Sequence, residues 1–261
     1  MASAQLFIQD VQSRGRYSFS TEQAEAALGG SGVAVRAALR RLKAKGAIAD
    51  PYRGFHVIVP PEYRGLGCLP ADQFVPDLMQ HLGEPYYVTL LSAASYHGAA
   101  HQRPQVFQVM LRQQRRAMAC GRVRIEFVSR ADMEQTAIIE RNTPRGILRI
   151  ASAAATAVEV VGYPDRSGGI SNVATVLAEL AESIEPEELA AEARRAPLAW
   201  VQRLGYLLSL VGASPLAAAL EPLLAAGEPF TVALVPSAPM SGGARDPRWR
   251  VAINADVEPE V

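Results

Sequence analysis

The stretch SGVAVRAALRRLKAK, residues 31–45, decides how the N-terminal part of the chain is interpreted. Ser31 follows two glycines and can begin a helix by accepting a hydrogen bond from an N–H group of the first turn. Four apolar residues recur at helical spacing and predict one inward stripe, namely Val35, Ala38, Leu39 and Leu42. The other face carries cations separated by small residues. That arrangement suits a helix that enters the major groove of DNA.

The sequence before this stretch predicts a second helix and a tight turn. Residues 20–23, Ser-Thr-Glu-Gln, form a capping-box pattern that opens a helix over 21–28. Gly29-Gly30 then turns the chain into the helix that begins after Ser31. A short helix, a glycine turn and a basic helix in this order are typical of a helix-turn-helix.

The sequence after the basic helix predicts a β-hairpin. Gly46 ends the helix, and residues 47–59 hold two apolar segments around a turn at 50–54. With a first helix over 6–11, the order of elements predicts a winged helix-turn-helix in residues 1–64 that binds double-stranded DNA. The predicted contacts are on the basic helix and at the tip of the wing: Ser31, Val33, Arg36, Ala37, Arg40, Arg41, Lys43, Lys45 and Arg53.

The charge of the chain is uneven although the 261 residues carry no net charge. Residues 1–64 hold nine cationic and five acidic residues, and residues 101–130 hold seven arginines and one glutamate. The second basic segment could be a solvated hairpin, a further nucleic-acid contact or a surface for an acidic partner protein. Its candidate contacts are Arg112, Arg115, Arg116, Arg122 and Arg124.

Residues 60–70 are rich in proline and glycine and predict a linker, so we place a domain boundary at residue 64. Residues 65–261 predict a larger, mixed α/β domain with a helical part, and the whole chain is assigned to the α+β class. Strands are expected over 86–88, 106–111 and 122–128, with residues 112–122 as a basic loop. Two late strands, over 230–235 and 248–254, are expected to return to this sheet.

Cys68 and Cys120 stand far apart in the sequence and have no CxxC partner, which favours a reducing compartment over a disulfide framework or a zinc site. The N-terminus lacks a signal-peptide pattern, and no apolar segment approaches the roughly 18 residues that span a bilayer. We therefore expect a cytoplasmic protein that is not inserted in a membrane.

No familiar catalytic motif is present: GxSxG, a P-loop, HExxH and GxGxxG are all missing. His97 and His101 have the spacing of two ligands on one helix, but Gly98 interrupts that helix and no third ligand is near in sequence. We expect no enzymatic activity, no metal and no cofactor.

The segment YYVTLLSAASYHG, residues 86–98, lies between the predicted winged domain and strand-rich sequence. The order then closes with GILRIAS, residues 146–152, and an alanine-rich helix over 151–161. This combination resembles the AbiEi antitoxins, which are also described as transcriptional regulators of a viral defence system. The resemblance covers most of residues 5–211, and its most specific part is the 86–98 segment.

The resemblance implies an antitoxin of a type IV toxin–antitoxin and abortive-infection (antiviral defence) system. Its winged domain would bind repeats in the promoter of its own operon and repress transcription. Its C-terminal domain would counter an AbiEii-type nucleotidyltransferase toxin, in many members without a stable complex.

Three other functions are kept as alternatives. A ligand-responsive winged-helix regulator would hold a small-molecule pocket in the C-terminal domain. A protein-interaction module would bind the toxin directly through that domain. A nuclease or transferase would need a clustered acidic or histidine site, which the sequence does not display.

Overall fold

The computed structural model describes residues 3–99, 104–240 and 244–259. Its helices and strands divide between two compact units. The first unit comprises Met1–Val88, Gln105–Glu134 and Glu140–Arg149, and the second comprises Thr89–Pro104, Gln135–Ile139 and Ile150–Val261. The mixed α+β class is confirmed. The boundary at residue 64 between independently folding domains stays a prediction.

The first unit begins with three helices and a small sheet. Its elements are α1 (Ala4–Ser13), β1 (Ser18–Ser20), α2 (Thr21–Leu28), α3 (Gly32–Ala44), β2 (Ile48–Tyr52) and β3 (Phe55–Ile58). The three strands pair in the order β1-β3-β2, and both pairings are antiparallel. The β2–β3 pairing shifts its register between Ala49 and Tyr52, which marks a local irregularity in β2.

One hydrophobic core holds these elements together. Phe7 and Ile8 of α1, Phe19 of β1 and Leu28 of α2 belong to it, and they pack with residues of α3 and of the small sheet. The rings of Phe7 and Phe19 meet edge to face, with centroids 5.0 Å apart. Because α3 contributes only its apolar stripe to this core, its opposite face is left to solvent.

The first unit continues through α4 (Val75–Leu82) into a larger sheet. Its strands are β4 (Tyr86–Val88), β5 (Phe107–Leu111), β6 (Met118–Cys120), β7 (Val123–Ser129), β8 (Ile138–Thr143) and β9 (Gly146–Ala151), in the order β6-β7-β5-β4-β9-β8. β5 runs antiparallel to β4 and parallel to β7. The residues of β8 and β9 divide between the two units.

The expectation of a continuous basic loop over 112–122 was wrong, because Met118–Cys120 forms a strand that pairs antiparallel with β7. The turn between the two strands contains Gly121 with a φ of 56°, a left-handed conformation that glycine adopts without strain. Three residues are too few for a detectable alternation of polar and apolar side chains.

The second unit is mainly helical. It contains α5 (Leu90–Tyr96), α6 (Ala153–Gly162), α7 (Ile170–Leu180), α8 (Pro186–Ala193), α9 (Leu198–Leu210) and α10 (Ser214–Ala226). α6 is buried from Ala154 to Val161, as expected of a central helix that is apolar on all sides. The neighbouring helices pack around it.

The two late strands do not return to the large sheet, so that prediction was wrong. Only Val232–Ala233 (β10) and Val251–Ala252 (β12) are strands, and with β11 (Arg245–Asp246) they form a separate sheet in the order β10-β12-β11. The buried Gln202 side chain of α9 donates to the carbonyl oxygens of Phe230 and Trp249, at 2.8 and 3.0 Å. These bonds anchor the flanking segments on α9.

Candidate nucleic-acid interface

Helix α3 is oriented by its cap and by its buried stripe. The Ser31 hydroxyl accepts a hydrogen bond from the Ala34 N–H at 3.3 Å, as the sequence predicted. Val35, Leu39 and Leu42 are buried. Val33, on the other side of the helix, is 66 % exposed. The exposed face is therefore fixed by packing on the opposite side.

The structure places the predicted contact residues on two elements of the first unit. Ala37 is half-buried, and the other predicted residues of the basic stretch are exposed: Ser31, Val33, Arg36, Arg40, Arg41, Lys43 and Lys45. Arg53 is exposed in the turn between β2 and β3. DNA binding by these residues stays a prediction.

The cations of this surface differ in whether they have an acidic partner. Arg36 lies 3.5 Å from the Glu25 carboxylate of α2, and Lys43 Nζ lies 2.8 Å from Asp50 Oδ2 of β2. Among the described cations of α3 and the β2–β3 turn, four form no ion pair with an acidic residue: Arg40, Arg41, Lys45 and Arg53. We call these four residues the unpaired cations. Because no protein carboxylate neutralises them, they are available to phosphate groups.

A chain of polar contacts begins at Lys43 and was not foreseen from the sequence. Asp50 Oδ1 lies 2.7 Å from His56 Nδ1, and His56 Nε2 lies 2.9 Å from Thr21 Oγ1. The hydrogen bond with His56 lowers the pKa of Asp50, and the Lys43 contact lowers it further against the opposing effect of burial. The hydrogen bond to Asp50 raises the pKa of Lys43. The contacts join α3, β2, β3 and α2.

The second basic segment contains one arginine with a structural role. Arg115 Nη2 lies 2.6 Å from Glu84 Oε1, and its Nη1 donates to the Tyr52 hydroxyl at 3.3 Å. The Glu84 contact raises the pKa of Arg115. Since Tyr52 ends strand β2, Arg115 ties the segment before β6 to the β2–β3 hairpin within the first unit.

The other arginines of this segment are exposed. Arg112 lies 3.7 Å from the exposed Glu134 carboxylate, a surface contact of small energetic weight. Arg124 Nη1 donates to the carbonyl oxygen of Gly121 at 2.8 Å. Arg116 and Arg122 have no acidic partner among the residues described here. Arg112, Arg116, Arg122 and Arg124 are therefore exposed to solvent, whereas Arg115 forms an ion pair with Glu84.

The two cysteines are free and buried. A hydrogen bond between the thiols raises the pKa of Cys68, and burial raises it further. The same hydrogen bond lowers the pKa of Cys120 against the opposing effect of burial. The Arg122 N–H donates to the Leu66 carbonyl oxygen at 2.7 Å, so the two backbone segments that carry the cysteines are in contact. This contact was not predicted, because the two cysteines are far apart in the sequence.

The second unit contains a buried carboxylate that the sequence analysis did not single out. Thr89 Oγ1 donates to Glu159 Oε2 at 2.5 Å, and both residues are fully buried. The next residue, Leu90, has a φ of 51°. Thr89 and Leu90 belong to the 86–98 segment, the most specific part of the family resemblance. The partner of Thr89, Glu159, is 70 positions away in sequence and was not predicted.

Of the two histidines with metal-ligand spacing, His97 and His101, the second lies outside the described residues. His97 Nε2 lies 2.8 Å from the carbonyl oxygen of Ala151. Across the described ranges, no group of three or more His, Cys, Asp and Glu side chains could hold a metal ion. In the same ranges, no helix has the length and apolar character needed to cross a membrane.

Comparison with known proteins identifies one family model and a similar fold. The model described as the AbiEi antitoxin C-terminal domain matches residues 87–210. The crystal structure of the RV2827C protein from Mycobacterium tuberculosis is similar with a TM-score of 0.68 and 19 % sequence identity. The similarity covers 95 % of this chain and 90 % of that one, and at this identity it concerns the fold. No curated protein matches the chain.

Proposed function

Because this chain carries the C-terminal domain of the AbiEi antitoxins and so belongs to their family, we propose that it is an antitoxin that also represses its own operon. In this proposal, the first unit binds promoter DNA through α3 and the β2–β3 hairpin. The C-terminal domain counters a nucleotidyltransferase toxin, the kind of toxin that the family resemblance implies. The chain has no catalytic role of its own.

The observation that carries the DNA-binding part is the set of unpaired cations. Arg40, Arg41 and Lys45 project from a helix whose other side is locked in the core, and Arg53 lies on the adjoining hairpin. The order α2, glycine turn, α3 and two-stranded hairpin supports a winged helix-turn-helix. Such a helix enters the major groove while the wing contacts the backbone.

The exposed arginines of the second basic segment extend this proposal. Arg115 links the segment to Tyr52 of the hairpin, so Arg112, Arg116, Arg122 and Arg124 belong to the same compact unit as α3. Phosphates that flank the recognition site are the ligands suited to such side chains. An acidic protein partner is the alternative ligand, and titration of DNA fragments of increasing length separates the two.

The DNA-binding proposal is tested by titrating the full chain with the DNA upstream of its own gene and with shuffled DNA of equal length. We expect Arg40→Ala to weaken specific binding by about 10-fold to 100-fold if Arg40 forms a bidentate contact with guanine. Arg14→Ala is the matched control, since Arg14 is an exposed cation at the C-terminal end of α1 that pairs with Asp10. Equal, small effects of both variants would contradict the assignment of α3.

The antitoxin part is tested by co-expression with the neighbouring toxin gene. We expect the full chain to restore growth, and we expect Arg40→Ala to restore it as well, because in this proposal neutralisation belongs to the C-terminal domain. Co-purification of the two proteins would favour direct binding, and rescue without co-purification would favour neutralisation without a stable complex. Failure of the full chain to rescue growth would contradict the antitoxin role.

A further inference from the structure

Asp50 of β2 contacts two other elements of the predicted DNA-binding surface, α3 and β3. It lies on β2 where the pairing with β3 shifts register, between Ala49 and Tyr52. Irregularities of this kind redirect a side chain away from the regular alternation of a strand. One carboxylate oxygen of Asp50 meets Lys43 of α3 at 2.8 Å, and the other meets His56 of β3 at 2.7 Å.

The contact with His56 extends the link to α2 and to the core. The His56 ring is nearly parallel to the Phe19 ring, with centroids 5.1 Å apart, and its second nitrogen meets Thr21. The Thr21 N–H in turn donates to the carbonyl oxygen of Gly54, in the turn of the hairpin, at 2.9 Å. The Asp50 carboxylate is therefore fixed by His56, whose ring is in turn fixed by its contacts with Phe19 and Thr21.

We propose that Asp50 is a positioning residue that determines the specificity of DNA binding, by fixing α3 against the hairpin and by holding the Lys43 ammonium away from phosphates. This inference rests on the proposed function. It adds a role for an acidic residue on a surface otherwise assigned to cations.

The physical reason is that a released cation strengthens mainly the non-specific complexes, in which no base contact fixes the register of α3 and the cation can reach a phosphate. Phosphate contacts carry no sequence information, whereas base contacts do. The ion pair with Asp50 keeps Lys43 from binding a phosphate. The negative charge of Asp50 also disfavours complexes in which the DNA backbone approaches in the wrong register. The unpaired cations, by contrast, remain available. The ratio of specific to non-specific affinity therefore depends on Asp50.

The test compares the neutral variants Asp50→Asn and Asp50→Ser with wild-type protein, each after circular dichroism has established a native fold. The probes are the DNA upstream of the protein's own gene and shuffled DNA of equal length. The matched control is Asp10→Asn, which removes an exposed ion pair of similar length: Asp10 of α1 lies 2.9 Å from Arg14, which follows that helix. In the double variant Asp50→Asn/Lys43→Gln, the released cation is removed as well.

We expect each Asp50 variant to bind shuffled DNA about 5-fold to 10-fold more tightly at roughly 0.1 M salt, with a salt slope steeper by about one. The preference for upstream DNA should fall by a similar factor or more, Asp10→Asn should leave it unchanged, and the double variant should lose the gain on shuffled DNA. An unchanged preference in folded Asp50 variants, an equal effect of Asp10→Asn, or a gain that persists in the double variant would overturn the inference. A wild-type protein that shows no preference for upstream DNA would instead contradict the proposed function.

Discussion

The guanidinium of Arg145 lies over the ring of Tyr17, with Cζ 3.3 Å from the ring centroid. Arg145 is in the turn between β8 and β9, and its Nε donates to Gln73 Oε1 at 2.5 Å. Residues far apart in sequence thus meet within the first unit, which is more extensive than the N-terminal 64 residues alone. The three-helix segment that carries α3 is supported by the β8–β9 turn.

We expect Arg145→Ala to lower the free energy of unfolding by about 1–2 kcal/mol, because it removes a partly desolvated cation–π contact and a hydrogen bond. Arg145→Lys keeps the charge but loses the planar stacking, so it should recover only part of the loss. Urea denaturation of the three proteins measures the difference. Identical midpoints for wild type and Arg145→Ala would show that the contact does not stabilise the unit.

Gly121 allows the β6–β7 turn to pack closely on residues 66–67. A Cβ at this position would lie 2.1 Å from the Leu66 carbonyl oxygen, and the φ of 56° adds strain. We expect Gly121→Ala to destabilise the protein by about 3 kcal/mol or more, since backbone on both sides must move. Thermal unfolding measures the loss.

The control for that measurement is Gly46→Ala, which follows α3. Gly46 has a comparable φ of 67°, but a Cβ there would meet no atom within 4 Å. Only the conformational strain remains, so the expected loss is about 1 kcal/mol. Equal losses for the two variants would contradict the close approach at Gly121.

The two cysteines should differ in reactivity while the protein is folded. Hydrogen bonding to Cys120 and complete burial raise the pKa of Cys68, whereas the same hydrogen bond lowers the pKa of Cys120, which is 9 % exposed. Since the thiolate is the reactive species, iodoacetamide should modify Cys120 first. Peptide mapping by mass spectrometry, with urea-unfolded protein as the reference, measures the order. Earlier modification of Cys68 in the native protein would contradict this account.

Asp50 should make the free energy of unfolding depend on pH in the acidic range. Its pKa in the folded protein is lower than the ordinary value of 3.8, so the unfolded chain binds a proton before the folded chain does. The stabilising contribution of the carboxylate is therefore complete above the unfolded pKa and is lost as the pH falls through the folded one. Melting temperatures of wild type and Asp50→Asn, compared between about pH 7 and about pH 3, should converge toward the acidic end. A gap that is constant over this range would contradict the assignment.

Local signals were sufficient to predict the elements that carry the candidate interface. The capping box at Ser20, the helix over 21–28 and the apolar stripe of α3, in which Ala38 is only half-buried, are confirmed because each depends on residues within a turn or two. The hairpin that places Arg53 in a turn is also confirmed. The DNA contacts assigned to these elements stay predictions.

The sequence could not predict the side-chain contacts and strand pairings that form only in the folded chain. Arg115 meets Glu84 and Tyr52 across 31 and 63 positions, and Cys68 meets Cys120 across a similar distance. Lys43 and Asp50 are close in sequence, but their contact depends on the pairing of β2 with β3, whose register shifts between Ala49 and Tyr52. The same reason explains the missed strand β6, which exists through its pairing with β7.

The most direct test of the central claim is the salt dependence of binding to the DNA upstream of the protein's own gene. With roughly four to six phosphate-facing cations, the slope of log K against log salt concentration should be about −4 to −5. Arg53→Ala should make it shallower by about one, whereas Arg14→Ala should not change it. A slope near zero, or equal slopes for wild type and Arg53→Ala, would contradict DNA recognition through α3 and the β2–β3 hairpin.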